Sequence, residues 1–299
     1  MKKIIPLLLF CIISPIKAYS ACSGEDCCAV SSGVTTLPSA SSCAILPDSY
    51  GITIYEKYLC TSAPTAPTSS ANADLSMCFQ TLSAPAGSTV RITESSTGTF
   101  TEGTFTRPPN GVYTHGVVLI KNVFLLKFAL ELDTPWDGTG GAASPTAGGN
   151  GVYCATLNVN KYEDEGLMMQ CDSSPLTAGE LGAGLSKFGT DGLGNPEFTA
   201  EATNLNNSGA SIAGYLLAST GNLATSTAEV KAYERLLGIN TFAAPVVVTA
   251  ETSGFDMAFG INQGATIWSE GDSEDDGNSV ENIGGGSGPF QVIVTPTNF

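Results

Sequence analysis

The chain has 299 residues, with 28 acidic and 12 basic side chains and a net charge of −16. No run of Lys and Arg is present to displace counterions, so nucleic acid and anionic membrane surfaces are excluded as natural partners. Apolar residues make up 42% of the chain and recur in strand-length runs, which excludes intrinsic disorder.

Residues 1–20 read as a secretory signal peptide. Lys2 and Lys3 form a positive start, Ile4 to Ile16 an apolar stretch, and Ala18 and Ser20 the small residues before a cleavage site. About a dozen apolar residues are too few to span a bilayer. Cleavage near Ser20 predicts a secreted protein of the cell surface or periplasm. It removes Lys2, Lys3 and Lys17, leaving 12 − 3 = 9 basic residues against 28 acidic ones, net −19. Such a surface suits a salty medium, where counterions screen self-repulsion.

Cys11 leaves with the signal peptide. The remaining eight, Cys22, Cys27, Cys28, Cys43, Cys60, Cys78, Cys154 and Cys171, form an even set and predict four disulfides. The rival reading, a lipid on Cys22, would leave an odd number. Cys60–Cys78 and Cys154–Cys171 would each close a short loop, removing on the order of 3 kcal/mol of unfolded-state entropy. A bridge between adjacent Cys27 and Cys28 would strain the peptide, so each pairs with Cys22 or Cys43 in one of two arrangements.

Residues 21–48 read as an irregular Cys-rich segment. Gly51 to Cys60 alternates with Ile52, Ile54, Tyr55 and Tyr58 and predicts a strand; Val90 to Thr93 predicts a short one. Arg107 to Gly111 carries turn chemistry, with prolines fixing φ and Asn-Gly tolerating positive φ. Val112 to Ile120 and Val123 to Leu132 come next as strands. Asp133 to Gly149 reads as a Gly- and Pro-rich loop holding Trp136, after which Asn150 to Tyr153 repeats the tetrapeptide Asn110 to Tyr113.

Two capping boxes predict short helices. Thr177 and Glu180 precede Leu181, Leu185 and Phe188, with Gly189 as the stop. Ser226 and Glu229 precede Val230, Tyr233, Leu236 and Leu237, with Gly238 as the stop. Strands are expected again at 210–218, 244–250, 255–261 and 290–295. The expected fold is mainly β, with antiparallel sandwich-like sheets, one or two short helices and a disulfide-stapled N-terminal half. A stapled β domain over 49–172 would pack with a Cys-free acidic region over 173–299.

The segment Asp48 to Cys78 (DSYGITIYEKYLCTSAPTAPTSSANADLSMC), with Thr106 to Gly116 (TRPPNGVYTHG), resembles a group of secreted proteins of marine planktonic bacteria and their phages. The resemblance implies an exported, surface-associated marine protein. It transfers no catalytic residue.

Catalytic signals are sparse. His115 is the single histidine, and no Gly-x-Ser-x-Gly elbow accompanies it. Phosphate loops of the Gly-x-x-x-x-Gly-Lys type are missing. The acidic run Glu270 to Asn278 places Asp272, Glu274 and Asp276 at alternate positions before Gly277. With Asn278, these hard oxygen donors form a candidate Ca²⁺ loop, although the glutamate expected at its twelfth position is Ile283. The alternative is a solvated acidic turn.

The functional expectation is an exported structural or adhesive protein that binds or assembles without catalysis. Its partners would be a cell-surface component, a glycan or its own subunits. A second expectation is a secreted carbohydrate-binding module or glycoside hydrolase, with Trp136 as a sugar platform. A third is an outer-membrane β-barrel ending at Phe299, against which Pro296 and eight cysteines argue.

Overall fold

A computed structural model describes residues 22, 26–37, 41–93, 102–138, 150–162, 168–205, 209–271, 282–288 and 291–298. Residues 1–20, which the sequence reads as a signal peptide, and residues 272–281 lie outside these. Two large sheets organise the chain, one of ten strands and one of eight, and neither strand order closes on itself among the described residues.

The ten-stranded sheet is built around Ser49–Cys60. Along one edge this strand pairs with Cys78–Ile92. Along the other it meets Gly111–Lys121 and then Val123–Lys127, set end to end about Asn122. Buried Asn122 pins that junction. Its N–H donates to the Glu234 carbonyl and its side-chain amide to the Leu185 carbonyl. Arg235–Val248 pairs with Gly111–Lys121, and Ala210–Leu217 and Thr199–Leu205 continue outward to one edge. Leu181–Gly184 and Asn160–Tyr162 continue from Val123–Lys127 to the other.

The chain changes sheets at buried Phe128, where Val123–Lys127 ends and Ala129–Asp137 begins. Ala129–Asp137 pairs with Asn150–Thr156, which pairs with Met169–Asp172. Ala265–Gly271 and Asn282–Ser287 form a hairpin in the same sheet, flanked by Ser42–Ile45. Ile52, Ile120 and Leu126 from one sheet meet Leu132, Met169, Ile267 and Ile283 from the other in one apolar core. Burying side chains of this size stabilises the fold by about 1.5–3 kcal/mol each before conformational entropy is subtracted.

All four disulfides form: Cys22–Cys27, Cys28–Cys43, Cys60–Cys78 and Cys154–Cys171. Of the two arrangements open to the N-terminal four, the chain adopts this one. Cys60 lies directly opposite Cys78, and Cys154 directly opposite Cys171, on paired antiparallel strands. Their Cα atoms are 3.9 and 4.1 Å apart. These two bonds therefore lock strand register as well as closing loops.

Several expectations need correction. The helix expected after Thr177 is the strand Leu181–Gly184. The Glu180 carboxylate binds Arg91 at 2.7 and 2.8 Å instead of capping. Leu181 and Ala183 pair with Leu126 and Phe124, and Gly182 and Gly184 let Asn160 and Tyr162 approach closely. The second helix does begin at Ser226, whose hydroxyl accepts the Glu229 N–H at 3.3 Å. It ends at Tyr233, and Glu234 turns into the left-handed region, sending Leu236 and Leu237 into a strand. The N-terminal segment carries three short strands, Ala29–Ser31, Val34–Thr36 and Ser42–Ile45. Three of the strand pairings are parallel. The eight-stranded sheet draws strands from residues 21–48, 49–172 and 173–299, so these segments interleave in space.

Candidate functional site

Side-chain alternation sorts each sheet into an inner and an outer face. In the ten-stranded sheet, Val118 and Ile120 enter the core, so Leu119 and Lys121 face outward. In the eight-stranded sheet, Cys154 and Cys171 enter the core, so Tyr153 and Asp172 face outward.

The outer face of the ten-stranded sheet is partly roofed. Val230 of the helix Thr227–Tyr233 enters the core between the sheets, while the disulfide-closed loop 61–77 and Tyr233, the last residue of that helix, cover part of this face, with Tyr233, Ala73 and Leu75 packed on Val117 and Leu237. At its margin Lys121 and Arg235 lie directly opposite each other. Like charges in this position repel. Four contacts offset the repulsion. Lys121 pairs with Glu234 at 3.5 Å, and the Arg235 guanidinium lies 3.7 Å from the centroid of the Tyr55 ring. Arg235 also donates to the carbonyls of Tyr233 and Glu234. Lys231 sits 4.9 Å over Tyr162, whose hydroxyl donates to Glu234 at 2.9 Å.

Tyr55 reaches Arg235 because it occupies a bulge, where pairing jumps from Ile54 to Glu56 on both neighbouring strands. An extra residue re-aims the side chains beyond it. Without the bulge, Glu56 and Tyr58 would continue the inward series of Ile52 and Ile54. With it, Lys57 turns inward, directly opposite the core residues Leu82 and Val118. Lys57 is 5% exposed. Among the described residues its ammonium has no ion pair or hydrogen bond. Burial pushes its pKa from 10.5 down to about 7. Alternation read straight through the sequence hides this residue. Only the bulge reveals it.

The outer face of the eight-stranded sheet differs in chemistry. Tyr153 lies directly opposite Glu131 on one side and Asp172 on the other. Both carboxylates are exposed and Tyr153 is half-buried. Asp133 is exposed in the segment of Ala129–Asp137 that bulges past Val152. On Asn282–Ser287, Gly284 and Gly286 make room for Trp268. A Cβ at these glycines would come within 2.4 and 3.2 Å of the indole. The ring therefore lies flat across the strand, and it is half-buried.

Trp136, expected as an exposed sugar platform, is 4% exposed and belongs to the core. Its strand runs through residues that the sequence suggests are a loop. The Trp268 position is visible only through the pairing of its strand with Gly284 and Gly286. His115 lies opposite Cys60 and Thr241, with Nδ1 2.8 Å from the Thr114 hydroxyl, and burial lowers its pKa. No nucleophile set accompanies it among these contacts.

The candidate Ca²⁺ residues Asp272, Glu274, Asp276 and Asn278 lie outside the described residues, in the segment joining Ala265–Gly271 to Asn282–Ser287. Among the described residues, no group of three or more His, Cys, Asp or Glu is placed to hold a metal ion. No family model, curated protein or solved structure matches the chain. Four disulfides suit an oxidising, extracellular or periplasmic compartment. No described helix is long and apolar enough to cross a membrane.

Proposed function

We propose that this chain is exported by its N-terminal signal peptide and works at the cell surface as a structural or adhesive protein. It acts by binding or assembly, without catalysis. The observation that carries this reading is the contrast between its two outer faces. One presents Lys and Arg among tyrosines, and the other presents carboxylates and aromatic rings with no cation in its strands. A rigid, disulfide-locked scaffold with chemically distinct faces suits recognition, because preorganised surfaces lose little entropy on binding. The resemblance to secreted marine proteins agrees with this role.

The test is immunogold electron microscopy of cells producing the full chain, together with a hydrolysis screen on polysaccharides. Labelling at the cell surface without turnover is the expected result. Turnover lost on substituting one carboxylate, Glu131 or Asp172, would overturn the non-catalytic reading.

Carbohydrate binding is a second reading, and Trp268 favours it. A flat indole stacks on the apolar face of a sugar. Trp268→Ala should abolish retardation in polysaccharide gels if this reading holds.

A further inference from the structure

The tetrapeptide Asn-Gly-Val-Tyr occurs at 110–113 and again at 150–153. Each copy stands at the start of a strand, Gly111–Lys121 in one sheet and Asn150–Thr156 in the other. Their surroundings differ. Asn110 is exposed, and its Oδ1 accepts a hydrogen bond from Arg107 Nη2 at 2.6 Å. The same guanidinium donates to the carbonyls of Pro108 at 3.1 Å, Thr252 at 2.9 Å and Thr249. All four acceptors are neutral, and among the described residues Arg107 forms no salt bridge. A Cβ at Gly111 would meet nothing nearer than the Tyr113 ring at 3.7 Å, so there is open space beside the Asn110–Gly111 peptide.

Asn150 is exposed as well, but it lies directly opposite Asp137, in a sheet whose strands contain no Lys or Arg. A Cβ at Gly151 would sit 2.0 Å from the backbone of Asp172. The Asn150–Gly151 peptide is therefore pressed against the neighbouring chain and has no room to turn.

An asparagine followed by glycine is open to attack by its own backbone, because no side chain shields the glycine nitrogen or restricts its approach. We propose that Asn110 is a site of self-modification, at which Arg107 promotes conversion of the carboxamide to a carboxylate and then holds that carboxylate as its ion-pair partner. The Gly111 nitrogen attacks Asn110 Cγ and gives its proton to solvent. The N–Cγ bond forms, the Cγ–Nδ2 bond breaks, and Nδ2 takes a proton from solvent and leaves as ammonia. Water then opens the cyclic imide at either carbonyl, leaving aspartate or isoaspartate. One water is consumed, one ammonia is released, and nothing is oxidised or reduced.

Arg107 acts at the step where charge moves. During attack, negative charge develops on Oδ1, the atom to which the guanidinium already donates, so Arg107 does there what an oxyanion-hole donor does. It also decides the outcome. A carboxylate at 110 turns a neutral hydrogen bond into a charge-assisted one and ties the 107–111 turn more firmly to the Thr249 and Thr252 carbonyls. A carboxylate at 150 would instead face Asp137, an unfavourable cross-strand pair.

The experiment incubates the full chain, disulfides intact, in mildly alkaline buffer and follows both asparagines by peptide mass spectrometry. A parallel sample is held unfolded in urea. The two sites share Gly-Val-Tyr on their C-terminal side, so in urea they should convert at similar rates. In the folded chain Asn110 should convert about tenfold faster than Asn150. Equal folded rates, a faster Asn150, or an Asn110 that stays intact would each overturn the proposal. Asn110→Asp supplies the product directly. It should raise the folding equilibrium constant about two- to fivefold, the range of an exposed ion pair, and should bring no gain in an Arg107→Gln background. An Asn110→Asp chain that is less stable than wild type, or equally stabilised without Arg107, would overturn the role given to the guanidinium.

Discussion

The ten-stranded sheet and the eight-stranded sheet hold themselves together in different ways. The first has long strands, with 12 residues in Ser49–Cys60, 15 in Cys78–Ile92 and 14 in Arg235–Val248. Long ladders supply many backbone bonds and cross-strand contacts, and one disulfide, Cys60–Cys78, serves the whole sheet. The second has strands of 3 to 9 residues, and two disulfides, Cys28–Cys43 and Cys154–Cys171, start or end within it. Short strands leave ordering entropy less well offset, and covalent links make up the difference. The long-stranded sheet carries a buried, unpaired lysine, Lys57, for which the other sheet has no counterpart.

Lys57 offers the largest test of that contrast. Its folded pKa lies below the unfolded value, so the unfolded chain binds more protons between about pH 7 and 10.5. Unfolding free energy should therefore rise with pH across this window, by about 5 kcal/mol in all. Lys57→Met should be more stable than wild type by a similar amount near pH 7, and the two should converge towards pH 10.5. Urea titrations through this pH range measure the difference. A constant difference across the range would show that the ammonium is solvated after all.

The second effect concerns the staples. Cys154→Ala/Cys171→Ala should cost about 3 kcal/mol. Its signature should be regional, with amide exchange accelerating first in 150–156, 169–172 and 129–137. Protection in Ser49–Cys60 should outlast it. Uniform loss of protection would mean that the two sheets unfold as one unit.

A smaller effect is expected at Gly284. The Ala methyl would sit 2.4 Å from the Trp268 indole. The ring must lift from the strand, at a cost of about 1–3 kcal/mol. Tryptophan fluorescence should shift to the red, which a simple loss of backbone flexibility would not produce.

The smallest belongs to Arg91 and Glu180, whose side chains are 52% and 39% exposed. Arg91→Gln should change stability by less than about 0.5 kcal/mol at physiological salt. The Arg91 guanidinium holds the Glu180 carboxyl below its usual range. The pair's small contribution is present at neutral pH and is lost as pH falls through that depressed value. An acid unfolding curve that shifts markedly in the variant would assign the pair a larger role.

Sequence by itself determined the features that rest on covalent or local physics. Short loops between cysteines dictated Cys60–Cys78 and Cys154–Cys171, and the strain of a vicinal bridge kept Cys27 and Cys28 apart. Alternating apolar residues identified a strand from Gly51 to Cys60, which the fold extends back to Ser49, and the hydroxyl of Ser226 marked a helix start. Tertiary structure decided the features that depend on register between distant strands. The bulge at Tyr55 exchanges inside for outside and buries Lys57. A free edge on Val123–Lys127 draws Leu181–Gly184 out of a helical pattern, because pairing with Leu126 and Phe124 outweighs a single capping box. Trp136 is buried because the chain crosses from one sheet to the other at Phe128 and carries the next strand over the core. The exclusion of Lys and Arg from the strands of one sheet comes from strand order, which joins segments far apart in the chain. Local propensity acts over a few residues, whereas face and neighbour are set by which strands pair and by single-residue shifts in that pairing.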